Sequence, residues 1–267
     1  MSIETNGTPS DPQAAPPNEV TWQRPRTRKL FIVSCTRGLK EETVLYSSLQ
    51  RLGIDSFQFF EKNEKGLSTC YNLILDAKSG SDEIVIFVHD DVSIRDVFFR
   101  EKINDALEKH DYAITGVAGT SGYRIGPISQ DTPWFRQPQQ LLSGWVEHDG
   151  TTGPPVMYSI GPTFRRCIVL DGLFLAVDLA KAGRVRFDEQ FAFHFYDHDF
   201  CLSAHEAGLT LGTCNIYLTH KSHGAKTSKE FVRAQDDFRT KWLPRQPQVG
   251  FWQPLQHLPR LDQNASS

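Results

Sequence analysis

A chain of 267 residues with 39% hydrophobic side chains, eighteen of them phenylalanine, can fill one sizeable core, which argues against a string of small domains. A net charge of −3 gives no electrostatic reason to expect nucleic acid as a partner. No apolar run reaches the roughly 18 to 20 residues of a bilayer span, and no basic patch followed by an apolar stretch opens the sequence, so a cytoplasmic chain with no transmembrane segment is expected. Five cysteines (Cys35, Cys70, Cys167, Cys201, Cys214) show no C-x-x-C spacing and sit mostly in apolar runs, as reduced buried thiols do.

Residues 1–27 carry five prolines and few aliphatic side chains, and are predicted to form a flexible arm. A single domain follows over 28–242. "KLFIVSC" (29–35) is a short apolar run suited to a buried parallel strand. In "KEETVLYSSLQRLG", Val44, Leu45, Ser48, Leu49 and Leu52 recur at helical spacing and Gly53 supplies the stop. "IDSFQFF" (54–60) reads as a second strand. "GLSTCYNLILDAKSG" puts Leu67, Cys70, Tyr71, Ile74 and Leu75 on one helical face, and "EIVIFV" is a third strand. A helix around 97–109 and a strand at "YAITGVAG" continue the alternation, which implies an α/β fold with a mostly parallel central sheet between helices.

From 119 to 166 the chain turns rich in Gly, Pro, Ser and Thr, with "SGWVEHDG" and "PPVMYSI" as short, antiparallel strands. "RRCIVLDGLFLAVD" is long enough for a strand plus a helix start. "FDEQFAFHFYDHDFCLSAHEAGL" leads into a helix that Gly208 ends, and "TCNIYLTHKSHG" is a last strand and loop. Residues 243–267 are predicted to be an irregular tail.

Chemistry concentrates where strands end. "IVIFVHDDV" (84–92) is a buried strand that runs into His89, Asp90 and Asp91. Ligands of open parallel sheets collect at such carboxyl ends. An extended chain points His89 and Asp91 the same way, and carboxylate plus imidazole suits a divalent cation, Mg2+ or Mn2+ where phosphates complete the sphere. "YDHDF" sets Asp197 and Asp199 among Phe191, Phe193, Phe195, Tyr196 and Phe200, where carboxylates need partners or work. "THKSHG" adds His220 and His223, either of which could join His89 and Asp91 on a metal.

These motifs, in this order from Leu30 to Gly224, resemble a GT-A glycosyltransferase of the family 2 type, in the branch where H-x-D replaces D-x-D. The resemblance implies a Rossmann-like three-layer sandwich with a nucleotide-binding half (28–118) and an acceptor half (119–242). It implies transfer of a sugar from a nucleotide-diphosphate donor to a hydroxyl of a glycan or small-molecule acceptor, with inversion. His89, Asp91 and the late His223 would hold Mn2+ or Mg2+, with Asp90 near the donor sugar. Ser34, Thr36 and Arg37 would lie beside base and ribose, and Asn72 would line the nucleotide site. Asp171 and Gly172 would adjoin the acceptor. Asp197 would be the catalytic base and Asp199 its supporting acid. The chain departs from the pattern at His89, where relatives carry Asp, and at Tyr196, where many carry Glu.

Two other functions use the same residues. His89, Asp91 and His223, with Arg233 ten residues on, also resemble the ligand set of an iron(II) and 2-oxoglutarate oxygenase, whose fold is a double-stranded β-helix and does not match the strand–helix alternation of 29–118. A GT-A-shaped module that binds nucleotide sugar without transfer is the other.

Overall fold

The computed structural model describes residues 28–123, 125, 134, 137–149, 156–221 (backbone alone at 156–159) and 228–245. The predicted arm, His223 and nearly all of the predicted tail lie outside the described residues.

The first half follows the sequence pattern closely. β1 (Leu30–Cys35) leads to α1 (Val44–Arg51), which Thr43 caps by accepting the Tyr46 amide on its hydroxyl. α1 buries Leu45, Ser48 and Leu49, and the chain turns away at Gly53, whose φ of 63° favours glycine. β2 (Phe57–Phe60), α2 (Leu67–Ala77) and β3 (Ile84–Val88) follow, then a short β4 (Val92–Ile94) and α3 (Phe99–Lys109). Every side chain of β3 is buried, as a strand with neighbours on both edges and both faces requires.

"YAITGVAG" becomes two strands, β5 (Ile114–Gly116) and β6 (Ala118–Thr120), which join different sheets. β7 (Leu142–His148) and β8 (Val156–Gly161) pair antiparallel as expected. Then come β9 (Arg166–Cys167), β10 (Val169–Leu170), β11 (Phe174–Asp178), the single turn α4 (Leu179–Ala182) and α5 (Tyr196–Glu206). β12 (Leu211–Thr213), β13 (Leu218–His220) and α6 (Lys229–Trp242) complete the order.

The class is α/β, and the main sheet is mixed. Its seven strands run β2-β1-β3-β11-β5-β12-β9. β2, β1 and β3 are parallel, as are β5 and β12, but β11 enters antiparallel between β3 and β5, and β9 pairs antiparallel with β12. A uniformly apolar run carries no direction, so "LFLAV" fits the buried slot either way. A second sheet, β10-β6-β7-β13-β4, has β8 alongside β7. Gly144, within β7 and opposite Ala118 of β6, sits at φ 90° against the Val117 carbonyl, where no side chain fits.

Three pairings position the site. The His89 amide donates to Leu173 O (3.1 Å), tying the end of β3 to the start of β11. β13 pairs with β4 so that His220 faces Val92, one residue from Asp91. The Lys221 amide then donates to Asp91 O (3.0 Å). Asp96 secures this strand pair, accepting the Tyr217 amide (3.2 Å), the Phe98 amide (3.0 Å) and Lys102 Nζ (2.5 Å). Among the described residues no helix is long and apolar enough to cross a membrane.

Candidate functional site

His89, Asp91 and His220 converge at the carboxyl end of β3. One ligand atom from each lies within 4.8 Å of the others. His220 Nε2 is 3.2 Å from Asp91 Oδ1, yet the two are misaligned for a hydrogen bond, and both ring nitrogens of His220 and that carboxylate oxygen are buried without a hydrogen-bond partner. Buried polar atoms normally find partners, so such orphans call for an explanation. Neighbouring ligands on one cation, each about 2.1 Å from it, stand about 3.0 to 3.4 Å apart. The His220–Asp91 separation falls in that range, and His89 offers a third ligand atom within 4.8 Å, so these three residues could hold a divalent cation.

Electrostatics reinforce the cluster. Burial pushes His220 down, but contact with Asp91 outweighs it and leaves the imidazole above its ordinary value. Asp91 resists burial in the same way and titrates below the usual carboxylate value, owing to its contact with His220 and the charges of His220 and His89. Burial holds His89 below the ordinary imidazole value although Asp91 pulls the other way. His89 is also flanked by Phe193, which stacks at 6.4 Å and 18° and is 51% exposed.

Asp197 reaches this corner through Gly172. Its Oδ2 accepts the Gly172 amide (2.8 Å), and its Oδ1 accepts the His198 amide (2.9 Å) and faces His198 Nδ1 (2.9 Å). Burial pushes the carboxyl up, but the charge and hydrogen bond of His198 and the Gly172 and His198 amides outweigh it, leaving Asp197 below its ordinary value and ionised at neutral pH. The Tyr196 hydroxyl donates to Gly172 O (2.8 Å) and lies 2.8 Å from His89 Nε2. Gly172 has no room for a Cβ, which would press on the Tyr196 hydroxyl and stand 2.8 Å from Asp197 Cβ. Phe195 precedes α5 at φ 63°, a conformation costly for a bulky residue, and so aims Tyr196 and Asp197 inward.

Asp199 does not join them. "YDHDF" is the first turn of α5, and two residues on a helix are about 200° apart, so Asp197 and Asp199 face opposite sides. Asp199 is fully buried against α6, with Oδ1 accepting Trp242 Nε1 (2.7 Å) and pairing with Lys241 Nζ (2.7 Å). Burial raises its pKa against the pull of Lys241.

Asn72, expected on the nucleotide site, has its amide engaged elsewhere. It donates to Phe187 O (2.9 Å) and Glu189 Oε1 (3.1 Å) and accepts the Phe187 amide (2.9 Å), sewing α2 to the segment before α5. Ser34 is fully buried with no partner for its hydroxyl, the Thr36 hydroxyl accepts the Gly38 amide (3.3 Å), and Arg37 is exposed in the turn after β1. Asp90 is half-buried, its carbonyl accepting the Leu45 amide (3.2 Å). Asp171 accepts the Leu173 amide (3.0 Å), and its charge reaches both His89 and His220.

A polar cavity of about 160 Å³ adjoins the cluster at Asp91. Ser93, Thr219 and a second carboxylate, Asp149, line it together with Arg51, Arg95 and Lys221, and none of these three cations forms an ion pair among the described residues. Sequence reasoning missed these cations because residues 51, 95 and 221 come from α1, the end of β4 and the end of β13. It also gave no role to His198, whose contact with Asp197 needs the helical turn.

No family model matches the sequence, and no curated protein matches it. Among solved structures, a mannosyltransferase from Pyrobaculum calidifontis in complex with GDP-Man and Mn2+ is similar over 85% of this chain and 70% of its own, at TM-score 0.44 and 11% identity. GalNAc-T7 with UDP, GalNAc and Mn2+ is similar over 85% of this chain and 52% of its own, at 0.42 and 10%. TarS 1–349 of S. aureus is similar over 82% of this chain and 77% of its own, at 0.42 and 13%. None of these distant likenesses carries chemistry over to this chain.

Proposed function

We propose that the chain is a GT-A-type glycosyltransferase that moves a sugar from a nucleotide-diphosphate donor to an acceptor hydroxyl, with a divalent cation, Mn2+ or Mg2+, held by His89, Asp91 and His220. The observation that carries this reading is the orphaned His220 and Asp91 pair, set with His89 at the carboxyl end of β3. The cation would neutralise charge on the diphosphate as it leaves. Arg51, Arg95 and Lys221 add positive charge on the Asp91 side of the site. In this reading Arg37 and Thr36, just after β1, would meet base and ribose, Asp90 the donor sugar and Asp171 the acceptor.

Asp197 supplies the base. It is ionised, and its Oδ2, which accepts only the Gly172 amide, has acceptor capacity to spare, while Oδ1 is engaged by His198. It takes the proton from the acceptor hydroxyl while that oxygen bonds to the anomeric carbon, and the bond from that carbon to the diphosphate oxygen breaks with its electron pair going to the diphosphate. A single displacement inverts the anomeric configuration. The geometry favours a structural role for Asp199, clamping α6, and for Asn72, bracing the approach to α5.

Two imidazoles and one carboxylate also suit iron(II). The parallel β2-β1-β3 unit with its helices disfavours the oxygenase, which needs a double-stranded β-helix. A thermal-shift titration of nucleoside diphosphates with and without Mn2+ or Mg2+ tests the proposal. Stabilisation of about 2.7 kcal/mol at a hundredfold excess over Kd is expected when nucleotide and cation are present together. No shift with any nucleoside diphosphate, with or without cation, sinks it.

A further inference from the structure

We infer that Tyr196 is a positioning residue that locks the tautomer of His89, so that Nδ1 is the lone pair this imidazole offers a cation. The inference deepens the metal-site reading above and rests on it. The Tyr196 hydroxyl has one proton and two candidate partners, Gly172 O at 2.8 Å and His89 Nε2 at 2.8 Å. A carbonyl oxygen only accepts, so the hydroxyl proton belongs to Gly172 O. The contact with His89 then holds only if Nε2 carries the ring proton and donates to the tyrosine oxygen. The reverse assignment would set the hydroxyl lone pairs against those of the carbonyl inside a buried pocket, where Tyr196 is only 3% exposed. In neutral His89 the lone pair is therefore on Nδ1.

The lock is braced on all sides. Tyr196 packs against Tyr71 (6.0 Å) and Phe187 (5.9 Å), and its hydroxyl lies over Gly172, where a Cβ would displace it. Gly172 also donates its N–H to Asp197 Oδ2, so the two peptide groups flanking one residue hold Tyr196 on one side and the base on the other. A ligating imidazole whose other nitrogen is held by a hydrogen bond keeps its orientation and basicity.

The test is the long-range 1H–15N imidazole spectrum of the 15N-labelled full chain, at a pH where His89 is neutral, with His89→Ala assigning the signals. Wild type is expected to show protonated Nε2 and unprotonated Nδ1, and a 113Cd2+ adduct to show coupling to Nδ1. Tyr196→Phe is expected to give a mixed tautomer and about 10- to 100-fold weaker Mn2+ binding. A filler of the core would leave the tautomer unchanged. Protonated Nδ1 in wild type, cadmium coupling to Nε2, or an unaltered tautomer in Tyr196→Phe overturns the inference. A locked Nε2–H tautomer in a protein that binds no cation removes the metal reading and leaves the lock standing. If circular dichroism shows Tyr196→Phe unfolded, the wild-type spectrum alone decides.

Discussion

Replacing Asp197 with Asn separates chemistry from structure at the centre of the site. The carboxylate accepts from Gly172 on one oxygen and from His198 on the other, whereas the amide has one oxygen only. If that oxygen serves His198, the new NH2 group faces the Gly172 N–H; if it serves Gly172, the NH2 group faces the His198 amide. One buried donor loses its acceptor either way, at a cost of about 1 to 3 kcal/mol. Domains of this kind hold about 5 to 15 kcal/mol in reserve, so the variant remains folded at 25 °C. Loss of a general base costs about 10²- to 10⁴-fold in rate. The paired assays are urea unfolding, expected to show the modest loss, and turnover of nucleotide sugar, expected to fall by two orders of magnitude or more while nucleotide-diphosphate binding persists. Transfer within about threefold of wild type would remove Asp197 as base, whatever the stability change.

Asp199→Ala makes the contrasting case. It strips Trp242 Nε1 of its acceptor, while Lys241 keeps Asp188 at 2.7 Å, so a loss of about 3 kcal/mol in urea unfolding is expected with Mn2+ affinity unchanged. A drop in affinity with no loss of stability would reverse that assignment. Gly172→Ala forces a Cβ to within 2.7 Å of Tyr196 Cζ. It should cost about 1 to 3 kcal/mol and weaken cation binding and transfer together; an intact variant by both measures would contradict the packing. Asp96 sits below its ordinary pKa: burial raises it, and Lys102 and the Tyr217 and Phe98 amides more than offset this. Its contribution is therefore full above the unfolded value of about 3.9 and lost as pH falls through the lower folded value. Acid titration of stability should show a smaller loss below about pH 4 in Asp96→Asn than in wild type, and parallel curves would refute this.

The local pattern was legible because short apolar runs and helical spacing record burial directly. β1, α1, α2 and β3 fall within the stretches that periodicity marked, and the antiparallel β7 and β8 pair follows from the turn-rich composition around it. Strand direction was not legible: β11 is antiparallel because of the slot between β3 and β5, which its own residues do not encode. The i, i+2 spacing served at His89 and Asp91, which follow a strand, whereas Asp197 and Asp199, which the resemblance paired, lie in a helical turn that sets them on opposite sides. α6 went unrecognised in a segment with few apolar residues, because its anchors, Phe238 and Trp242, bury against distant partners. His89 and Tyr196, the two positions where the sequence differs from the motifs it resembles, are hydrogen-bonded to each other, which only the fold reveals.

The central claim is that His89, Asp91 and His220 hold the cation on which sugar transfer depends. The most direct test is consumption of UDP- and GDP-sugars by chelator-treated wild type and His220→Ala, with Mn2+ or Mg2+ restored, alongside 2-oxoglutarate decarboxylation with iron(II). The account predicts donor turnover by wild type that the chelator abolishes, the cation restores and His220→Ala lacks, with no 2-oxoglutarate consumed. Iron-dependent decarboxylation without donor turnover, or equal transfer by His220→Ala and wild type, would contradict it.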